Sequence, residues 1–305
     1  MNTRNIKTVI IILLAAANIF LIINISALNM RLNNIPDDMI EKAAAILKER
    51  GIDADVKKIP PKKPADYIYE GVYSDNDYTE TVKYFTGASD EDIKNGHHMI
   101  SASISAGTVT SGAAYNVGDY KFRFENYLQA EIIKSNCRQG DADEAARHIN
   151  FSRGDESKAR RIINDFLKKY QGSDIRTGFE ITALKKDGGR EEVLINQTAD
   201  GISIASHGAY IIIEDGEVKY FSGRWYFGTF FAKHENPLLD SVNILFKCLE
   251  QDGFALAGAK LEKMEHEYTV KQHEKNKFYL APSWAVSFED GRKFSYDMIT
   301  GNKNN

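Results

Sequence analysis

Seven histidines and two cysteines are the side chains best suited to hold a metal or act as nucleophiles, and their spacing argues against both roles. His97 and His98 are adjacent, so on a strand they would point to opposite faces and poorly suit one ion. His148, His207, His234, His266 and His273 stand apart, without the Cys or carboxylate spacing of a zinc site, and read as surface or turn residues. Cys137 and Cys248 leave two readings open: a disulfide, or a Cys248 that behaves as a small buried hydrophobe near an apolar helix stripe. The carboxylate runs Asp37-Asp38 and Asp90-Glu91-Asp92 match the first turn of a helix, where negative charge is favoured, better than an acid–base dyad. Phosphate-binding glycine loops, HExxH, paired CxxC and GxSxG are absent. The expectation is a chain that is not an enzyme and uses no metal or cofactor.

Two aromatic stretches carry the remaining chemical potential. Tyr220-Phe221-Ser222-Gly223-Arg224-Trp225-Tyr226-Phe227 and Leu280-Ala281-Pro282-Ser283-Trp284 could form a peptide- or glycan-binding platform, since exposed Trp and Tyr give large contact area at low entropic cost. Equally, Trp225, Tyr226 and Trp284 could be strand residues packed beneath a helix, with Gly223 a close-approach point and Pro282 an edge position. Trp and Tyr are intermediate to buried on average, which favours the packed reading.

The elements that must position these residues follow from periodicity. Met39, Ile40, Ala43, Ala44 and Leu47 predict a helix over 36–50, opened by Pro36 and acids and stopped at Gly51. Ile52, Ala54 and Val56 alternate as a strand would, and three prolines within 60–64 mark a linker or edge. Strands are predicted at 67–73, 99–106 and 118–127, with a helix at 76–85. In the last strand Tyr120, Phe122 and Phe124 alternate with Lys121, Arg123 and Glu125. Residues 137–154 are polar and poorly patterned and are taken as a domain boundary. Beyond them, Ala159, Ile162, Ile163, Phe166, Leu167 and Tyr170 define a helix over 155–170. Strands at 177–186, 191–198, 208–214 and 217–227 are separated by Asp187-Gly188-Gly189, Asp200-Gly201 and Asp215-Gly216, which are hairpin signals because type I′ turns need positive φ. A helix from Asn236-Pro237, with Leu238, Leu239, Val242, Leu245, Phe246 and Leu249 on one side, precedes strands at 260–270, 279–288 and 293–297.

The pattern is α+β, with helices covering antiparallel sheets. The domains expected are 1–29 as cytoplasmic N-terminus and membrane helix, 30–136 as a first extracytoplasmic α+β domain and 137–305 as a second.

Composition sharpens this division. The 305 residues are 43% hydrophobic and 27% charged, outside the range of a disordered chain. Of 39 basic and 43 acidic residues, two basic (Arg4, Lys7) and no acidic fall within 1–30, so the rest carries 37 against 43, a formal −6. An acidic body argues against nucleic acid as partner, since that binding needs concentrated Lys and Arg. Residues 6–28 form an apolar stretch with no charge after Lys7. About 20 helical residues cross a hydrocarbon core roughly 30 Å thick, so a spanning helix is expected. Arg4, Lys7 and the amino terminus place the N-terminal side in the cytoplasm and the body outside. A cleaved signal peptide fits less well: the run exceeds an h-region, and no small-x-small site stands near Ser26-Ala27. Asn18, beside the small residues Ala15, Ala16 and Ala17, is either a contact to a partner helix or a tolerated lone amide.

Taken together, Asn5-Ile6-Lys7-Thr8 opening the apolar stretch, Asp200-Gly201-Ile202-Ser203-Ile204, Gly223-Arg224-Trp225, and Pro282-Ser283-Trp284 with Tyr296 and Thr300-Gly301 resemble YycI-type regulatory proteins, which belong with the YycH proteins of Gram-positive bacteria. The ending with Trp284 and Thr300-Gly301 also looks like that of PepSY-type modules. The resemblance spans essentially the whole chain. It implies a single-pass membrane protein with an extracytoplasmic α+β body that adjusts a WalK (YycG)-type sensor histidine kinase controlling cell-wall metabolism, with a YycH-like protein as a further partner. It would cast 6–28 as an interaction surface with Asn18 as its polar contact. The alternative expectation is an extracytoplasmic module that binds a peptide or wall fragment or inhibits a peptidase.

Overall fold

The computed structural model describes residues 34–62, 68–72, 75–105, 108–125, 129–134, 140–168, 177–226, 230–233, 238–253, 255–274 and 277–304, with the single positions 18 and 137. The elements in chain order are α1 (Asp37–Glu49), a 3-10 turn (Val56–Lys58), β1 (Ile68–Val72), α2 (Asp75–Thr86), α3 (Asp90–Gly96), β2 (His97–Ser105), β3 (Thr108–Val117), β4 (Tyr120–Glu125) and β5 (Gln129–Lys134). They continue with α4 (Ala142–Ala145), α5 (Arg153–Leu167), β6 (Thr177–Asp187), β7 (Arg190–Ala199), β8 (Ile202–Glu214), β9 (Glu217–Arg224), β10 (Phe230–Lys233), α6 (Ser241–Asp252), β11 (Leu261–Glu274), β12 (Lys277–Phe288) and β13 (Lys293–Asp297). The α+β class is as the periodicity implies. Among the described residues no helix is long and apolar enough to cross a membrane. The stretch 6–28, including Ala15, Ala16 and Ala17, lies outside them apart from Asn18, which is helical and exposed.

The chain forms two compact units, each assembled from separated segments. The first comprises Met1–Asp66, Asn236–Glu265 and Ser283–Asn305; the second comprises Tyr67–Glu235 and His266–Pro282. This differs from the division expected at 137. Polar residues 137–154 lie inside the second unit, because β5 before them pairs with β9 after them, Ile132 opposite Phe221. Their polarity reflects an exposed covering segment rather than a domain boundary.

In the first unit, α1 buries Ile40, Ala43, Ala44 and Leu47, the i, i+3, i+4, i+7 stripe, and ends where Gly51 adopts φ +82. Asp240, not Asn236, caps α6, accepting from the Asn243 amide at 2.9 Å. Residues 236–237 lie outside the described set. The α6 stripe buries Val242, Ile244, Leu245 and Cys248 but leaves Phe246 outside, and α1 leaves Met39 outside, correcting two apolar assignments. The core is completed by Trp284, Val286 and Phe288 of β12 and Tyr296 of β13, with Trp284 directly opposite Tyr296. Alternation at Ile52, Ala54 and Val56 does not yield a strand: only Asp53 bridges Lys260, and the chain then turns into the 3-10 segment. The proline segment is tied down instead, its Pro60 and Pro61 carbonyls accepting from Ser241 Oγ and Ile35 N, each at 2.7 Å.

In the second unit, β6, β7, β8 and β9 follow one another as antiparallel hairpins. Asp200-Gly201 (φ 48 and 82) and Asp215-Gly216 (φ 54 and 77) both adopt the positive φ that type I′ turns require. The path continues from β9 through β5, β4 and β3 to β2, and from β8 through a parallel contact, Tyr268 opposite Ile204, to β11. Helices α2, α3 and α5 cover one face with Val82, Phe85, Ile93, Ala159 and Ile163, meeting Phe122, Phe124, Ile211 and Phe221 of the strands. The acids at 90–92 are indeed a first turn, closed by a Ser89–Asp92 capping box. Strands β3 and β5 have no counterpart in the periodicity reading.

Strands β8 and β9 approach too closely for a side chain at Gly223: an added Cβ would lie 2.1 Å from the Gly208 carbonyl oxygen and 2.6 Å from Ala209 Cα. Backbone cannot yield as a flexible side chain can. Gly223→Ala should therefore destabilise the chain by about 2 kcal/mol or more, read as a lower urea midpoint with unchanged m-value.

Candidate functional site

Of the aromatic residues singled out by the sequence, Trp225, Tyr226 and Trp284 are core, and Phe227 lies outside the described residues. Trp225 is buried in the second unit, edge-on to Phe221 at 5.8 Å. Tyr226 is also buried, and its backbone is clasped by Gln197, which accepts from the Tyr226 amide at 3.0 Å and donates to its carbonyl at 2.8 Å. In the first unit Trp284 is fully buried and donates Nε1 to the Leu239 carbonyl at 3.1 Å. A polar handle satisfied inside the core is what a packed indole needs. None of the three offers a platform to a ligand.

The titratable candidates are similarly quiet. His97 and His148 are exposed, as expected of surface residues, but His207 is buried, which corrects that reading for this position. It sits where β8 kinks, next to Ser206 with φ +58. Its Nδ1 faces the Ala205 carbonyl at 3.0 Å, and its Nε2 has no partner. Burial pushes its pKa below the ordinary value. Both cysteines are thiols. Cys248 is buried with its pKa pushed up to about 11 by desolvation, so it is protonated and a poor nucleophile at neutral pH. Among the described residues no three His, Cys, Asp or Glu side chains are placed to share a metal.

The geometry brings together residues that periodicity did not mark. On the sheet face of the second unit opposite its main core, a small apolar cluster of Ala145, Tyr210, Ile212 and Tyr220 is edged by charge. Arg190 donates Nε to Glu192 and Nη1 to Glu214, both at 2.9 Å. Glu192 Oε2 is buried without a hydrogen-bond partner, and burial, with the Glu192 carboxylate beside it, raises the pKa of the Tyr210 phenol. Gly140 is pressed against this group: a Cβ there would lie 1.9 Å from the Tyr210 hydroxyl and 2.9 Å from Glu192 Oε1. The polar segment taken as a domain boundary therefore covers this face at Gly140 and Ala145. On the same face Arg123, Glu131 and Ser222 are successive cross-strand neighbours on β4, β5 and β9, and with Gln129 they line a polar cavity of about 220 Å³. Tyr220 donates to Glu131 at 2.9 Å. The signal available in sequence was the i, i+2 spacing of Arg190 and Glu192, which puts both on one strand face.

The first unit holds two further features. At its C-terminal end Tyr296 donates to Asp252 Oδ2 at 2.6 Å, Lys303 donates to Asp252 Oδ1 at 2.8 Å, and the Lys303 ammonium lies 4.0 Å from the Phe294 ring centre. Gln251 clasps the same tail through Gly301 O and Lys303 N. This is a clamp that fixes the end of the sheet. Between α1 and α6 runs a groove of about 790 Å³ whose walls include Ile46 and Arg50 on one side and Phe246, Leu249 and Glu250 on the other. Ile46 is 40% and Phe246 38% exposed, unusual for large apolar side chains on helices that each bury another face. The arrangement suits contact with an apolar surface more than chemistry.

No family model matches this chain, and no curated protein matches it. Among solved structures it is similar to an uncharacterized protein from Eubacterium rectale, with 11% sequence identity, 83% of this chain and 90% of that one covered, and a TM-score of 0.44. A likeness of that degree carries no argument about function.

The His207 environment yields a pH dependence of defined sign. A histidine with a lowered folded-state pKa takes up protons more readily when unfolded, so its contribution to stability is complete above about pH 6.5 and falls as pH drops below that value. The urea midpoint should decline between pH 7 and pH 5, and His207→Asn should flatten that decline.

Proposed function

We propose that this chain is a membrane-anchored accessory regulator whose body lies outside the cytoplasm and which acts on a sensor histidine kinase through protein–protein contacts. The observation that carries the reading is the apolar stretch 6–28, which has no charge after Lys7, has Arg4 and Lys7 at its N-terminal end and is followed by an acidic α+β body. Its likeness to YycI-type proteins rests on the short motifs around Lys7, Gly201, Trp225 and Trp284, and it supplies the class of partner: a WalK-type kinase together with a YycH-like protein. Asn18, flanked by Ala15, Ala16 and Ala17, is the polar group through which the anchor would recognise a neighbouring helix, because small residues permit close approach and an amide can hydrogen-bond in lipid. The binding-module alternative drew its support from exposed indoles; with Trp225 and Trp284 both buried, no observation favours it.

The anchor and the body can be tested separately. Replacing residues 6–28 by an unrelated membrane span, with the body intact, should abolish copurification with the kinase and its regulation. Asn18→Leu should weaken copurification only modestly, since a single membrane hydrogen bond is worth roughly 0.6 kcal/mol. Regulation that survives the replaced span would assign the activity to the body alone and overturn the membrane-contact reading.

A further inference from the structure

We infer that the groove between α1 and α6 is covered in solution by the same groove of a second copy of this chain. A two-fold contact requires a surface complementary to itself, because each patch meets its own image. This surface has that property. Its middle is apolar, with Ile46, Phe246 and Leu249; its α1 wall carries a cation, Arg50, and its α6 wall an anion, Glu250. A two-fold axis running along the groove lays α1 of one copy over α6 of the other. Arg50 then meets Glu250 of the second copy, and the pair occurs twice.

The charges are available for such pairing. Among the described residues the Arg50 guanidinium has no partner, and Glu250 is held by Lys247 at 2.8 Å in an exposed bridge of the kind that contributes little. A ligand of single sign would satisfy one wall and oppose the other, whereas a second copy satisfies both. The groove, at about 790 Å³, has room for an aromatic ring, and Phe246 stands half-exposed at its edge to supply one. Seven residues before Ile46, on the same side of α1, Met39 is 43% exposed and lengthens the apolar stripe. Burying these side chains provides the driving force, and the two charge pairs set the register.

The test is sedimentation of the intact chain, kept in detergent, with four variants. Wild type should be a dimer. Phe246→Asp should raise the dimer dissociation constant about tenfold or more, as removal of a central apolar anchor does. Arg50→Glu and Glu250→Arg should each weaken the dimer, and Arg50→Glu combined with Glu250→Arg should restore it. A monomeric wild type, a double variant no tighter than the singles, or a dimer indifferent to all four changes would overturn the proposal, the last because association would then run through another surface. The near-ultraviolet signal of the two buried tryptophans, Trp225 and Trp284, reports whether each variant keeps its fold.

Discussion

Strand β8 sets the terms on which the second unit is built. Over Ala209–Glu214 it bonds to β7 along one edge and to β9 along the other, so its alternation there decides which side of the sheet the neighbouring side chains face. Ala209, Ile211 and Ile213 turn to the helix-covered core, while Tyr210, Ile212 and Glu214 turn to the opposite side. A slip of one residue would exchange these sets and bury a carboxylate among Phe122, Phe124 and Phe221. The two Asp-Gly reversals hold the register at one end of each hairpin, and the close approach at Gly208 and Gly223 holds it within the strands. Both devices act through backbone, which explains why they tolerate so few residue types.

Much of this architecture could be read before any coordinates, and the reasons are local. The β7–β8 and β8–β9 hairpins announce themselves because a turn with positive φ at consecutive positions selects Asp-Gly, and the β6–β7 and β12–β13 hairpins because their one positive φ falls on Gly188 and Gly291. Helices α1 and α5 do so because their buried residues recur at 3.6-residue spacing. Strand β3 is silent because Thr-Val-Thr-Ser-Gly-Ala-Ala-Tyr-Asn-Val offers small residues where a pattern needs large ones. The division into units was illegible for another reason: which segments share a core depends on pairing between residues far apart, such as Trp284 with the carbonyl of Leu239. Met39 and the groove residue Phe246 read as inward in sequence because hydrophobicity alone does not say which apolar side chains a helix leaves outside.

The polar groups show how each unit manages its second surface. In the second unit, Arg190 gathers Glu192 and Glu214, and the backbone at Gly140 closes over Tyr210. In the first, Asp252 holds Tyr296 and Lys303, so a carboxylate at the end of α6 fixes the last strand and the tail behind it. These are binding interactions within the fold. The thiol of Cys248 is protonated and the indoles of Trp225 and Trp284 are enclosed, so none of these groups faces a ligand.

The first unit is made of the beginning, a middle portion and the end of the chain, with the second unit's residues between them. On a ribosome, α1 therefore emerges long before β12 and β13, the strands that complete its core. At roughly 5–20 residues per second, that interval is on the order of ten seconds or more. Throughout it Ile40, Ala43 and Leu47 have no Trp284 or Tyr296 to pack against, whereas the hairpins from β6 to β9 can close as soon as they are made. Synthesis thus lets the hairpins from β6 to β9 form before the core of the first unit and leaves the apolar stripe of α1 without its strand partners for that interval.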